Sequence, residues 1–160
     1  FQRIVSVGAF EHFGKKFYKT FFKQVHNILS DDGICLLHTI GSVAPPGPTQ
    51  PFIQKRIFPG GIIPSLSDII KPIEKTGLVI SDCETLIHHY DKTLKAWLER
   101  FLKNKEKAKS LYSKEFVRMW ECYLSMCSAA FTFRDLVVYQ LQLVKNFTAL
   151  PSNRRNYIYQ

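Results

Sequence analysis

The chain has 160 residues, enough for one domain with a sizeable core and too few for two ordinary ones. Apolar residues make up 46% and charged residues 22%, which excludes a disordered chain, and no run approaches the ~20 apolar residues of a membrane-spanning helix. Lys and Arg number 22 against 13 Asp and Glu, and the resulting formal charge of +9 either favours anionic partners or serves solubility alone.

The first residues lack Met and lie inside an apolar run, as expected of a piece of a longer protein. Ile4 to Gly8 is β-branched and bounded by glycine, which predicts a buried strand. From Lys15 to Leu29 the apolar residues Phe17, Phe21, Phe22, Val25, Ile28 and Leu29 recur at helical spacing. Asp32-Gly33 marks a turn, and Ile34 to Ile40 reads as a strand covered on both faces. Strand, helix and strand joined by short turns imply a parallel crossover and an α/β sheet.

Gly41 to Pro64 is a long Pro- and Gly-rich loop, of the kind that is functional or mobile. Ser65 is placed to cap a helix with Leu66, Ile69, Ile70 and Ile73 on its apolar face, ending at Gly77. Leu78 to Ile87 predicts a third strand. Two amphipathic helices follow, the first with Leu94, Trp97, Leu98, Phe101 and Leu102 on one side. Lys95, Arg100, Lys103, Lys105, Lys107 and Lys109 occupy its other side and its continuation. The second helix carries Phe116, Met119, Trp120, Tyr123, Leu124, Cys127 and Phe131, a stripe that reads as core before it reads as a ligand box. Asp135 to Phe147 contains a last strand. The polar, basic and aromatic tail from Leu150 to Gln160 carries no prediction.

The four cysteines form no CxxC pair and read as free thiols. Cys35 and His38 have a possible ligand spacing but lack a second pair, so no metal site is expected. The aromatics fall on buried stripes with no interleaved basic strand, which argues against nucleic acid.

Several segments together resemble the cyclopropane fatty acid and mycolic acid cyclopropane synthases. Ile4-Val-Ser-Val-Gly-Ala-Phe-Glu-His-Phe-Gly14 is similar to their fourth-strand motif and Leu36-Leu-His-Thr-Ile-Gly41 to their fifth strand. Ile57-Phe-Pro-Gly-Gly-Ile-Ile-Pro-Ser65 resembles the loop before the next helix. His89-Tyr-Asp-Lys-Thr-Leu-Lys-Ala-Trp-Leu-Glu-Arg-Phe101 resembles the acyl-site segment, and Tyr123-Leu-Ser-Met-Cys-Ser-Ala-Ala-Phe-Thr-Phe-Arg-Asp135 the late helix. The order is preserved and the coverage extends to about Lys145.

The resemblance implies the C-terminal part of a class I S-adenosylmethionine-dependent methyltransferase, a Rossmann-like α/β sheet with a helical hairpin insertion. Residues 1–147 would supply its fourth to seventh strands, with the insertion at about 90–132 and a tail from 148 to 160. The glycine-rich cofactor loop of the family is absent from these residues, so the 160 residues alone are expected to be inactive.

The implied activity is methylene transfer from S-adenosylmethionine to the cis double bond of an unsaturated phospholipid acyl chain. An alkene is a poor nucleophile and needs a strongly electrophilic methyl group. Attack leaves a carbocation, and loss of a proton from the new methyl closes the ring. Such a site must be dry, tolerate positive charge and hold a base. The family is understood to use bicarbonate, and its holders match Glu11, His38 and Tyr90, with the backbone at Val7. In this reading Glu11 accepts from the bicarbonate hydroxyl, while His38 and Tyr90 donate.

Taken singly, Glu11 reads as a cap for the helix near Gly14 and His38 as a core histidine; His88 and His89 compete with Tyr90. Cys127 matches a position proposed as catalytic in the family, although its place on the apolar stripe argues for a buried, inert thiol. Gly8 and Phe10 are expected near the sulfonium. The resemblance further implies a bacterial, cytoplasmic protein peripheral to the inner membrane, with the basic helical surface from Lys95 to Arg118 on anionic lipid and homodimerisation open. The alternatives are a non-catalytic lipid- or partner-binding module and a sibling lipid methyltransferase giving a methyl-branched product.

Overall fold

The computed structural model describes residues 1–150 and 155–159. Strand β1 (Arg3–Val7) leads through 3₁₀ turns at Phe10–His12 and Lys15–Phe17 into helix α1 (Tyr18–Ile28), which returns the chain to β2 (Ile34–Ser42). Then follow α2 (Leu66–Ile73), β3 (Val79–Leu86), α3 (His89–Lys103), α4 (Lys105–Leu111), α5 (Lys114–Phe133) and β4 (Leu136–Val144). The strands lie in the order β1-β2-β4-β3. β1 is parallel to β2, with Val7 beside His38; β4 runs antiparallel to both β2 and β3. This is the predicted α/β sheet, with its reversed strand one place in from an edge.

One face of the sheet packs against α1 and α2. Cys35 and Leu37 of β2 and Val137, Tyr139, Leu141 and Leu143 of β4 are buried there with Phe22, Val25, Ile69 and Ile73. Full burial of each such side chain contributes about 1.5–3 kcal/mol. Tyr139 lies flat against β2 only because residue 41 is glycine: a Cβ there would come within 2.3 Å of its ring. The Tyr139 hydroxyl donates to the Ser42 carbonyl at 2.9 Å.

The opposite face is covered at one end by the helical insertion, where Leu94, Tyr123, Leu124 and Phe131 pack on Val138 and Ile40. Elsewhere on this face Leu36, His38, Gln140 and Gln142 are half-buried, so β2 is fully covered on one side only. The strict alternation of a strand explains why Cys35 and His38 cannot share a ligand: three residues apart, they point to opposite faces.

Two predicted helices end early. Ser65 caps α2 by a reciprocal box with Asp68, but Pro72 lies in the last turn and the helix stops at Ile73, with Gly77 at φ +79° in the following turn. The lysine-rich continuation of α3 breaks at Asn104 into the separate helix α4. The long loop also contains a π-helical turn at Ile53–Ile57.

Candidate active site

The site begins where β1 stops and β2 continues. Gly8, at φ +62°, turns the chain out of β1 and donates its amide to the His38 carbonyl at 3.1 Å. The next β2 amide on that side, Ile40 N–H, lies beyond the end of β1 and has no strand partner. Glu11 takes that place: its Oε1 accepts from the Ile40 amide at 2.7 Å. The 3₁₀ turn at Phe10–His12 makes this possible by folding Glu11 back over the strand end. Phe10 anchors the turn, fully buried and stacked on Tyr18 with ring centroids 4.0 Å apart. The Glu11 carbonyl accepts from Ile62 N–H at 2.8 Å, which ties the long loop to the same point. Glu11 therefore completes the sheet and does not cap the helix near Gly14, whose N-terminus has no side-chain cap.

Glu11 is only 7% exposed, and its Oε2 is buried without a hydrogen-bond partner. A buried carboxylate oxygen left unpaired costs about 1–3 kcal/mol or more. This is the place in the crevice that calls for a donor from a bound molecule.

Tyr90 stands in the first turn of α3, after a turn that holds His88 at φ +62°. Its ring packs against Phe131 at 5.1 Å and Trp97 at 6.0 Å. Burial raises the Tyr90 hydroxyl above its ordinary pKa, and the negative charge of Glu11 raises it further. The phenol is a donor throughout the neutral range, and the two residues lie within electrostatic reach of each other. His88 and His89 are exposed and outside this group.

His38 stands on β2, on the same face as Ile40. Its Nδ1 lies 3.1 Å from Gln140 Oε1, and Gln140 Nε2 donates to Glu84 Oε2 at 3.0 Å. Val7, His38, Gln140 and Glu84 are successive register partners across the four strands.

A cavity of about 760 Å³ opens between the end of β2, the loop before α2 and helices α3 and α5; Ile40 and Tyr90 line it, and Glu11 and His38 do not. Its walls are chiefly apolar and aromatic, with Ile40, Phe58, Leu94 and Phe131 among them, and Tyr90, Tyr123 and Cys127 also face it. Burial pushes the Cys127 thiol up to about 11, so it is protonated at neutral pH. The two helices are pinned by Asp91, which accepts from Ser128 Oγ and pairs with Lys95 at 2.7 Å. These partners hold its carboxyl below the usual range.

The basic helical surface is partly paired within the chain. Lys95, Lys103, Lys105 and Lys109 meet Asp91, Glu99, Glu121 and Glu106. Arg134, at the cavity wall, and Lys55 and Arg56, on the π-helical turn, pair with no acid among the described residues.

Sequence reasoning missed the Ile40 amide, Gln140, Glu84 and Tyr123. The two glutamines left a signal, since positions 140 and 142 alternate within an otherwise apolar strand and so share one face.

Residues 1–141 match the family described as mycolic acid cyclopropane synthetase. Over 141 residues the chain is 44% identical to the cyclopropane-fatty-acyl-phospholipid synthase of Escherichia coli K12, covering 88% of this chain and 37% of that protein. It is 34% identical to cyclopropane mycolic acid synthase MmaA2 of Mycobacterium tuberculosis, covering 89% of this chain and 54% of the relative. The solved structure of MmaA2 superposes with a TM-score of 0.81. Mycolic acid cyclopropane synthase CmaA1, complexed with SAH and CTAB, superposes with a TM-score of 0.80 at 34% identity, covering 89% of this chain and 54% of that one. A phosphoethanolamine N-methyltransferase of Haemonchus contortus, 16% identical with a TM-score of 0.73, shares the fold alone. The chain spans about half or less of the length of these curated relatives. The matched residues include the turn that carries Glu11, the strand that carries His38 and the helix start that carries Tyr90, and the chain belongs to the mycolic acid cyclopropane synthetase family.

Proposed function

We propose that this chain forms the C-terminal part of the catalytic domain of an enzyme that adds a methylene group to the cis double bond of a phospholipid acyl chain. The observation that carries the reading is the buried, unpartnered Oε2 of Glu11, whose other oxygen holds the amide of Ile40, a residue that lines an apolar cavity with Tyr90.

S-adenosylmethionine would supply the electrophilic methyl group. Gly8 lies where the chain leaves β1, with positive φ and no atom within 4 Å of its missing Cβ, and so gives close backbone approach to the cofactor. Phe10 supports that turn from below, its ring committed to the core. Bicarbonate would supply the base. The orphaned Glu11 Oε2 is the acceptor that its hydroxyl needs and Tyr90 is the donor for an anionic oxygen, with His38 and the Val7 backbone beside it. Apolar and aromatic walls exclude water and face the transient positive charge on the acyl chain. Cys127 contributes apolar lining, in keeping with its raised pKa.

The acyl chain enters from an anionic bilayer to which the protein docks peripherally. Arg134, Lys55 and Arg56 suit that contact beside the helical surface, four of whose lysines are paired within the chain. The 160 residues alone turn over no substrate, because the cofactor needs a glycine-rich turn that they do not contain.

The test is gas chromatography with mass detection of fatty-acid esters, after incubation with S-adenosylmethionine and unsaturated anionic vesicles. The full-length protein is expected to give cyclopropane product, with less from zwitterionic vesicles, and the 160 residues none. A methyl-branched ester in its place would move the enzyme to the sibling reaction. Binding to vesicles with no product from the full-length protein would leave the non-catalytic lipid-binding module.

A further inference from the structure

The row of side chains running across the sheet from His38 carries information about hydrogen positions that no single contact does. Glu84 is a carboxylate acceptor whose oxygens face two donors: Oε2 meets Gln140 Nε2 at 3.0 Å, and Oε1 lies 3.8 Å from the Arg155 guanidinium. A carboxylate offers only lone pairs, so the Gln140 amide must present its NH₂ to Glu84. Its carbonyl oxygen, Oε1, is thereby turned to His38, 3.1 Å from Nδ1. A carbonyl also offers only lone pairs, so His38 Nδ1 must carry the proton. In the neutral ring Nε2 is then left with its lone pair, on the edge away from Gln140.

We propose that Gln140 and Glu84 are positioning residues that fix His38 as the Nδ1–H tautomer and make Nε2 its working nitrogen. The assignment rests on reading His38 as an active-site residue, and it revises one expected role: the neutral ring accepts at Nε2 and cannot donate there. When the reaction releases a proton from the new methyl group, Nε2 can take it from the base. The resulting imidazolium keeps its Nδ1–H bond to Gln140, with the Glu84 carboxylate behind it. This arrangement follows from register: His38, Gln140 and Glu84 are direct partners on adjacent strands and share one face.

The test is a long-range ¹H–¹⁵N correlation spectrum of the full-length protein labelled with ¹⁵N-histidine, at a pH where His38 is neutral. The signal is assigned by its loss in His38→Asn. The wild type is expected to show a protonated Nδ1 and an unprotonated Nε2. Glu84→Gln keeps size and hydrogen bonding but removes the acceptor-only partner. It is expected to release the amide and give mixed tautomers, and Gln140→Leu is expected to do the same by removing the acceptor. Both variants should lower kcat by about tenfold with little change in KM for lipid, as outer partners of ligating imidazoles do. A wild-type Nε2–H tautomer, or an unchanged Nδ1–H tautomer in both variants, would overturn the assignment. The spectrum needs no turnover, so a wild type that forms no cyclopropane while its tautomer responds as described would refute the proposed reaction and leave the assignment standing.

Discussion

The two oxygens of Glu11 do different work. Oε1 replaces a missing strand partner for Ile40, and Oε2 remains buried without a hydrogen-bond partner. The motif around Glu11 drew attention to the residue, but its division of labour depends on where β1 stops relative to β2, which no local spacing encodes. The same holds for Gln140: its alternation with Gln142 marks a polar face, while its partner Glu84 is 56 residues away in sequence. The apolar stripe predicted a buried Cys127, whereas the structure leaves it half-buried and facing the cavity. With its thiol raised to about 11, it is expected to react very slowly with thiol reagents at neutral pH. Cys127→Ser in the full-length protein should lower the rate of cyclopropane formation by less than about tenfold, equivalent to ~1.4 kcal/mol in barrier. Loss of all product in that variant would instead make the thiol catalytic.

At the scale of elements, α2 shows how a local signal fixes a distant loop. Ser65 and Asp68 close the capping box, and Asp68 also binds Lys15 at 2.8 Å, joining α2 to the turn before α1. Burial alone would raise the Asp68 pKa, but the bonds from Lys15 and Ser65 outweigh it and hold the carboxyl below its ordinary value. Its contribution to stability is therefore full above the ordinary carboxylate range and disappears as the pH falls through the lowered folded value. Asp68→Asn is expected to cost about 1 kcal/mol at neutral pH. The gap between wild type and variant in denaturant melts should close in acid, and a gap that stays constant would remove the charge from the account. The cap was visible in the sequence because Ser65 directly precedes the apolar periodicity. The early end of α2 needed the weight of Pro72, and the break at Asn104 was hidden because its lysine-rich flanks suit a helix on both sides.

For the whole molecule, the strand pattern revealed the sheet, but the strand predicted as buried from Ile4 to Gly8 lies exposed at its edge. β1 pairs with β2 alone among the described residues, and Val5 and Val7 on it are 64% and 62% exposed. The predicted cover on both faces of β2 is complete only toward α1 and α2. The proposed site draws each of its residues from a different segment: Glu11 from the turn after β1, His38 from β2, Tyr90 from α3. Fold assignment could proceed from periodicity, whereas the closeness of Glu11 to Tyr90, far apart in sequence, depends on the tertiary arrangement. The measurement that tests the proposed site most directly is the initial rate of cyclopropane formation by the full-length protein carrying Glu11→Gln. The variant keeps an oxygen for the Ile40 amide and replaces the open acceptor with a donor. A loss on the order of 10²-fold, with the melting temperature preserved, is the predicted result. A rate near that of the wild type would contradict the placement of the reacting base at Glu11.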